Sequence, residues 1–402
     1  MLSGGGARGA YEAGVLRYLL DELPQRLGRA ARFDIVTGAS VGAIHACFLA
    51  ANAHRPARSG DRLARLWGRL SIGSLASLRT GALLTMPLRA LGSLVPRALR
   101  GKRPLPDRIS GLLETGPLEA LVRRSVEWRR IGENLAAGHL DAISVAATEI
   151  ATGRVVAFMQ ARDEQAGWGR DPSLVSRHVE LRVEHALASA AIPVLFPAVR
   201  VDDTYFADGG IRLNTPLAPA LRLGADRVLV IPLRRGAGDD SEVALETSRI
   251  ASYPNPLFLY GKVLNALLLD HVETDLQRMR VINGILERGE RSFGPQFLER
   301  MNSAARGERD HPFRKVWDVV VRPSRDLGLL AGELVAEPRA GARVPAWVRL
   351  LQGALGFAGE PFEADLLSYV LFDRVYTAPL VQLGMEDARR QEEELLRFFS
   401  DD

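Results

Sequence analysis

This chain of 402 residues is short of cysteine, of lysine and of long apolar runs, and each shortage excludes something. Cys47 is the only cysteine, so no intramolecular disulfide and no cysteine-based zinc site can form. It stands in an apolar helical stretch and reads as a core residue. No apolar run reaches the roughly 20 residues that a membrane-spanning helix needs, and the N-terminus carries no leader pattern. The expected location is cytoplasmic, with peripheral contact at a membrane left open. Lys102, Lys262 and Lys315 are the only lysines among 52 basic residues, and the formal net charge is +4. Arginine's planar fork suits phosphate and carboxylate, but such a bias equally reflects genome composition. No nucleic-acid partner, metal or organic cofactor is expected.

What is present is a large apolar complement, 47% of residues, enough to bury a sizeable core in one large domain or a domain with an extension. The chain is organised around residues 33–50, FDIVTGASVGAIHACFLA. A short β-type run meets Gly38-Ala39-Ser40-Val41-Gly42, and an apolar helical run begins at Ala43. A serine on a strained strand-to-helix turn exposes its hydroxyl, which makes Ser40 the candidate nucleophile. The pattern alone is weak, because with 38 glycines a G-x-S-x-G arises easily by chance. The competing reading is a glycine-rich turn with an ordinary Ncap serine.

Upstream, Gly4-Gly5-Gly6-Ala7-Arg8-Gly9 opens a helix whose apolar positions Val15, Leu16, Leu19, Leu20 and Leu23 recur at helical spacing. Backbone N–H groups of a glycine turn at a helix N-terminus bind anions. The anion could be a pyrophosphate, since Gly4, Gly6 and Gly9 also read as G-x-G-x-x-G with Asp34 as a conceivable ribose partner. It could equally be the oxyanion of an acyl-transfer intermediate, and spacing alone leaves both open.

Downstream, residues 51–135 form an irregular, basic, cap-like segment. Within it Arg79, Arg89, Arg97, Arg100, Lys102 and Arg103 alternate with apolar residues. That pattern suits an interfacial element on anionic lipid, or a cap whose arginines are solvated. Residues 140–159 read as two strands joined at Thr152-Gly153, and Val183 to Ala191 as a helix stopped by Pro193. Asp208-Gly209-Gly210 precedes a helix start at residues 214–217, and 227–233 reads as a buried strand. Strand and helix thus alternate to about residue 235, the signature of an α/β layered fold with a largely parallel central sheet flanked by helices. Gly4 to Gly9, Ser40 and Asp208 would gather at the carboxyl ends of its strands. Residues 236–402 are expected to be mainly helical, with a long core-facing apolar stripe from Leu257 to Leu286, a strand near 316–321 and a helix over 362–383.

GGGARG, GASVG, ASAAIPVLFP and DGG stand in one order, and together they resemble the patatin-like phospholipases over roughly residues 1–235. The resemblance implies lipid acyl hydrolysis by a Ser-Asp dyad acting on phospholipids or lysophospholipids. It puts the nucleophile on Ser40, the general base on Asp208 and the oxyanion hole on the backbone of Gly4, Gly5 and Gly6. Arg8, Gly9, Gly38, Gly42, Gly209 and Gly210 are the supporting motif positions. There are two departures. Ser3 stands where some members carry an acid, and Met1-Leu2-Ser3 leaves almost no room for the strand before the glycine loop, so a start further upstream is conceivable. Histidine is the usual base for a serine, but His271 and His311 lack a catalytic turn signature, His45 comes five residues after Ser40 and points elsewhere on its helix, and His185 only precedes the ASAAIP segment. A general carboxylesterase or thioesterase would use the same residues, and a catalytically silent lipid-binding protein is the alternative from another class.

Overall fold

The computed structural model describes residues 1–71, 77–78, 106–109, 111, 113–163, 168, 173–213, 217–236, 256–268, 271–305, 311–336 and 364–400. The basic run 79–103 and the expected helix start at 214–216 lie outside these. A 3-10 turn, Gly6–Arg8, leads into α1 (Gly9–Arg17), and a π-helical turn, Tyr18–Glu22, joins it to α2 (Leu23–Leu27). Next come β1 (Ile35–Ala39), α3 (Val41–Ala51) and α4 (Ser59–Gly68). The short strands β2 (Ser77–Leu78), β3 (Arg108–Ile109) and β4 (Leu113–Glu114) precede α5 (Gly116–Ser125) and α6 (Trp128–Ala136). The central part holds β5 (Ala142–Glu149), β6 (Val155–Ala161), β7 (Leu174–His178), α7 (Val183–Ser189), β8 (Ala198–Val201) and β9 (Thr204–Asp208). After it run α8 (Gly210–Leu213), α9 (Leu217–Arg222) and β10 (Arg227–Val230). The remainder is α10 (Pro256–Leu268), α11 (His271–Phe293), α12 (Phe297–Ala304), β11 (Trp317–Val320), α13 (Leu327–Ala336), α14 (Asp365–Val370), α15 (Arg374–Arg390) and α16 (Glu392–Phe399).

The layered α/β fold is there, but its sheet is mixed rather than largely parallel. β5 is the spine. It pairs with β1 in parallel on one side and with β6 antiparallel on the other, the hairpin turning at Thr152-Gly153. β6 carries β7 in parallel, while β9, β8 and β3 add antiparallel strands. Short turns between consecutive strands force antiparallel neighbours, because a parallel partner needs a crossover of a dozen residues or more.

The segment before the glycine loop does enter the sheet. The Leu2 N–H donates to the Thr37 carbonyl at 2.9 Å, and the Ala39 N–H donates to the Leu2 carbonyl at 3.2 Å. Leu2 also bridges in parallel to Ile231, joining β1 to the separate β10–β11 pair. A single residue, Leu2, therefore gives the glycine loop its strand support.

One apolar core runs through both ends of the chain. It includes Tyr11, Tyr18, Phe48 and Phe158 from the first half and Tyr369, Tyr376, Leu380 and Phe399 from the last forty residues. Cys47 is buried, and burial pushes its thiol up to about 12. The expected stripe over 257–286 is split between two helices. Leu264, Leu268, Val272, Leu276 and Met279 are buried, but Val263, Leu267 and Ile282 are exposed. A 3.6-residue period defines an apolar face without saying how wide a strip of it the neighbours cover.

Candidate active site

Pairing on the spine strand explains why two residues 168 positions apart meet. Ala39, the last residue of β1, pairs with Ala146 of β5, and Asp208, the last residue of β9, pairs with the next residue, Ala147. β1 and β9 thus lie in one column on the same side of β5, run in opposite directions and meet end to end. Ser40 follows the end of one and Asp208 closes the other.

At that junction the Ser40 hydroxyl donates to Asp208 Oδ2 at 2.6 Å. Both side chains are buried, at 1% and 0% exposure. Ser40 has φ 54 and ψ −128, a conformation that costs a non-glycine residue about 1–3 kcal/mol and persists only where its surroundings hold it. Here Ser189 holds it, accepting the Ser40 N–H at 2.9 Å and donating to the Ala146 carbonyl at 2.5 Å. Asp208 is fixed from two sides. The Gly210 N–H donates to Oδ1 at 2.7 Å, and Thr148 Oγ1–H donates to the Asp208 carbonyl at 2.9 Å. Oδ2 is left facing Ser40.

Among the described residues, the Asp208 carboxyl is met by a hydroxyl and a backbone N–H and by no cation. Burial pushes it up from the ordinary carboxylate range to about 7, while the Ser40 hydroxyl and Gly210 N–H pull the other way. A carboxylate with that proton affinity, hydrogen-bonded to a strained serine, has the makings of a general base acting on a nucleophile.

Of the glycine loop, Gly6 lines the same cleft as Ser40. Its φ is +57, and a Cβ there would sit 2.2 Å from the Tyr369 carbonyl oxygen, so only glycine fits. Gly5 packs on Leu233, and Gly4 precedes it in the buried run after Ser3. Arg8 turns away from the cleft toward α14. Its Nε–H donates to Ser368 Oγ at 2.8 Å, and a terminal nitrogen reaches Asp365 Oδ1 at 3.0 Å. Gly9 packs on Val41 and Trp67, Gly38 on the Gly42 carbonyl, Gly42 on the Leu2 carbonyl and Gly209 on the Ala146 carbonyl. These contacts hold the elbow, the glycine loop and the Asp208 turn within one packed unit.

The cleft beside Ser40 encloses about 730 Å3 of unfilled space, part of it open to solvent. Its walls are apolar and include Ile44, Phe48, Leu66, Trp67, Ile192 and Phe372. Trp67 and Phe372 stack at 6.0 Å with their planes 16° apart.

His45 also lines this cleft, yet neither ring nitrogen is free for Ser40. The Trp67 indole N–H donates to His45 Nε2 at 2.9 Å, and His45 Nδ1 contacts Glu12 Oε2 at 2.5 Å. Glu12 in turn accepts the Ser3 N–H at 2.9 Å. His185 accepts the Arg182 N–H at the start of α7, and burial lowers it to about 4. Asp34 lies at the entry of β1, the opposite end from the glycine loop, and contacts Arg32 at 3.4 Å. That distance along the strand removes it as a ribose partner for a ligand on Gly4, Gly6 and Gly9. Among the described residues no group of three or more His, Cys, Asp or Glu is placed to hold a metal ion, and no helix is long and apolar enough to cross a membrane.

Sequence reasoning missed Ser189, Glu12, Trp67, Asp365 and Phe372. Only Ser189 carried a signal, since it lies in the ASAAIP stretch already singled out; Glu12, Trp67 and Asp365 are ordinary helical residues, and Phe372 an ordinary apolar residue between helices, until the elements pack.

The family model "Patatin-like phospholipase" matches residues 1–221. The cGAMP-activated phospholipase of Pseudomonas aeruginosa is 31% identical over 217 residues, which is 54% of this chain and 53% of the relative. The chain thus spans about half the length of the curated relative it matches. The crystal structure of VipD from Legionella pneumophila is 13% identical with a TM-score of 0.32, over 98% of this chain and 66% of its own, a likeness too loose to carry an argument.

Proposed function

Because the chain belongs to the patatin-like phospholipase family, we propose that it hydrolyses carboxylic esters of phospholipids or lysophospholipids through an acyl-enzyme on Ser40. The observation that carries this reading is the 2.6 Å hydrogen bond between Ser40 Oγ and Asp208 Oδ2 beside an apolar cleft. Ser40 Oγ attacks the ester carbonyl carbon while Asp208 Oδ2 takes its proton. The C–O bond to the alcohol breaks, and that alcohol leaves with the proton from Asp208. Water attacks the acyl-enzyme, losing a proton to Asp208, and Ser40 regains a proton as the fatty acid departs. The backbone N–H groups of the Gly4–Gly6 loop stabilise the oxyanion in both halves, each such donor contributing about 3–4 kcal/mol. The acyl chain lies along Ile44, Phe48 and Trp67. Asp208 handles every proton, so the cycle calls for no cofactor.

Both reacting side chains lie within 1–235, which we assign as the catalytic domain; the helical region 236–402 adds Phe372 to the cleft wall. Peripheral contact with anionic membrane belongs to the same reading, and vesicle co-sedimentation tests it. The decisive experiment measures fatty-acid release from a p-nitrophenyl ester and from phospholipid vesicles. It compares wild type, Ser40→Ala and Asp208→Asn, each with and without cGAMP because of the name of the Pseudomonas relative. Loss of turnover in both variants with folding intact supports the dyad. Undiminished hydrolysis by Ser40→Ala would sink it.

A further inference from the structure

The glycine loop is held from behind by a helix that the family match does not reach. The match ends at residue 221, and α14 begins at Asp365. Arg8, two residues beyond Gly6, is buried at 3% exposure and meets α14 on three sides. Its Nε–H donates to Ser368 Oγ, which itself donates to the Asp365 carbonyl at 2.5 Å. Its terminal nitrogen pairs with Asp365 Oδ1, and its guanidinium lies 4.6 Å from the Tyr369 ring centroid. The second Asp365 oxygen pairs with Lys262 Nζ from α10 at 2.7 Å. On the other side of the loop, the Tyr369 carbonyl sits where a Gly6 side chain would begin. The same short helix therefore grips both the basic residue and the glycine of the loop.

Stability is a poor reason for such an arrangement. A buried ion pair is often no better than apolar residues of the same volume, because desolvating both charges offsets their attraction. What an Arg fork does provide is a fixed direction. Direction is what an oxyanion donor needs, since displacement of about 1 Å in a reacting geometry costs about 100-fold in rate. Gly6 reaches the cleft and Arg8 reaches α14 from positions two apart in one tight turn, so a shift of the guanidinium is passed to the peptide planes of the loop.

The geometry points to Asp365 as a positioning residue that acts through Arg8 on the Gly4–Gly6 loop, with Lys262 balancing its second oxygen. This rests on the reading of Ser40 and Asp208 as an ester-hydrolysing dyad. Burial alone would push the Asp365 carboxyl up, but Arg8 and Lys262 overcome this and hold it below the ordinary range, so the pair stays ionised. Asp365 touches no reacting atom. Its effect is on where the oxyanion donors stand.

The test uses the full chain with a p-nitrophenyl ester and the matching thionoester, whose sulfur is a poorer acceptor for oxyanion donors. Asp365→Asn keeps the volume and removes the charge; Arg8→Lys keeps the charge and removes the fork. Each is expected to lower kcat by about 10- to 100-fold with KM changed less than about twofold, and to shrink the wild-type preference for ester over thionoester. The double variant should be no worse than either single one, since the two residues act as a unit. Lys262→Met should have the smaller effect. If kcat and the ester preference are unchanged in folded Asp365→Asn and Arg8→Lys, whatever their melting temperatures, the cluster is architectural and the inference falls. If wild-type turnover does not depend on Ser40, the underlying reading falls and takes this inference with it. Should Asp365→Ala fail to fold, the two volume-conserving variants still decide the matter.

Discussion

Asp208 and Asp365 are two aspartates buried to nearly the same degree, at 0% and 4% exposure, that the protein treats in opposite ways. Around Asp208 stand a hydroxyl and a backbone N–H, so desolvation dominates and its carboxyl is pushed up to about 7. Around Asp365 stand Arg8 and Lys262, which overcome the same desolvation and hold the carboxyl below its ordinary range. Burial with no cation makes a carboxylate that wants a proton; burial between two cations makes one that cannot take it. The first suits a base and the second a clamp, and the difference lies in the neighbours rather than in the residue.

The sharpest way to break this comparison is Asp208→Asn. It should cut turnover by a factor on the order of 10^3 to 10^4, as removing the group that directs the proton does in serine hydrolases. It should also raise the melting temperature above pH 7. The carboxyl binds its proton more tightly folded, at about 7, than unfolded, at about 4. Its favourable contribution is therefore complete below about pH 4 and is lost as pH rises through about 7. At pH 8 the buried charge costs the fold up to about 4 kcal/mol that asparagine would not. Thermal melts at pH 5 and pH 8 check the sign. A variant less stable than wild type at pH 8 would contradict the account of Asp208.

Gly6→Ala comes next, because the loop is where the two aspartates' roles join. With φ +57 and the Tyr369 carbonyl 2.2 Å from the new Cβ, either the loop or α14 must move. A loss of about 100- to 1000-fold in kcat is expected, the scale of one oxyanion donor. Undiminished kcat in the folded variant would show that Gly6 is not part of that hole.

The wild-type pH profile follows. Since Asp208 must be ionised to take the Ser40 proton, kcat/KM should fall about tenfold per unit below pH 7 and level off above it. A limb nearer pH 4 would mean that the carboxyl is not desolvated as the structure has it. The smallest effect concerns the cleft. Ile44→Phe should shorten the preferred acyl chain, changing the ratio of short- to long-chain esters by about tenfold.

Much of the site was legible because its parts are local. A serine between glycines at a strand-to-helix change, a glycine run before a helix and an aspartate before two glycines each declare a backbone geometry within a few residues. The hairpin at Thr152-Gly153, the helix at α7 and the strands β10 and β11 were readable for the same reason. Strand direction was not, since alternating apolar residues show that a segment is extended without showing which way its neighbour runs. The expected helix over 362–383 appears as α14 and α15 with a break at 371–373, where Asp373 accepts the Val375 N–H and caps α15. That cap was visible in the chain; the periodic pattern across it concealed the interruption.

The amino-acid sequence by itself determined the turn chemistry and the apolar periodicity, because those depend on contacts within one turn or one strand, and it nominated Ser40 and Asp208 for the roles proposed here. The tertiary structure alone decided that β1 and β9 meet end to end on β5, that Ser189 supports Ser40, and that Asp365 of α14 receives Arg8. Each is a meeting of segments about 150 to 360 residues apart, as their hydrogen bonds record. Such meetings are set by strand register and by how helices share one core, and neither leaves a mark in the residues on either side.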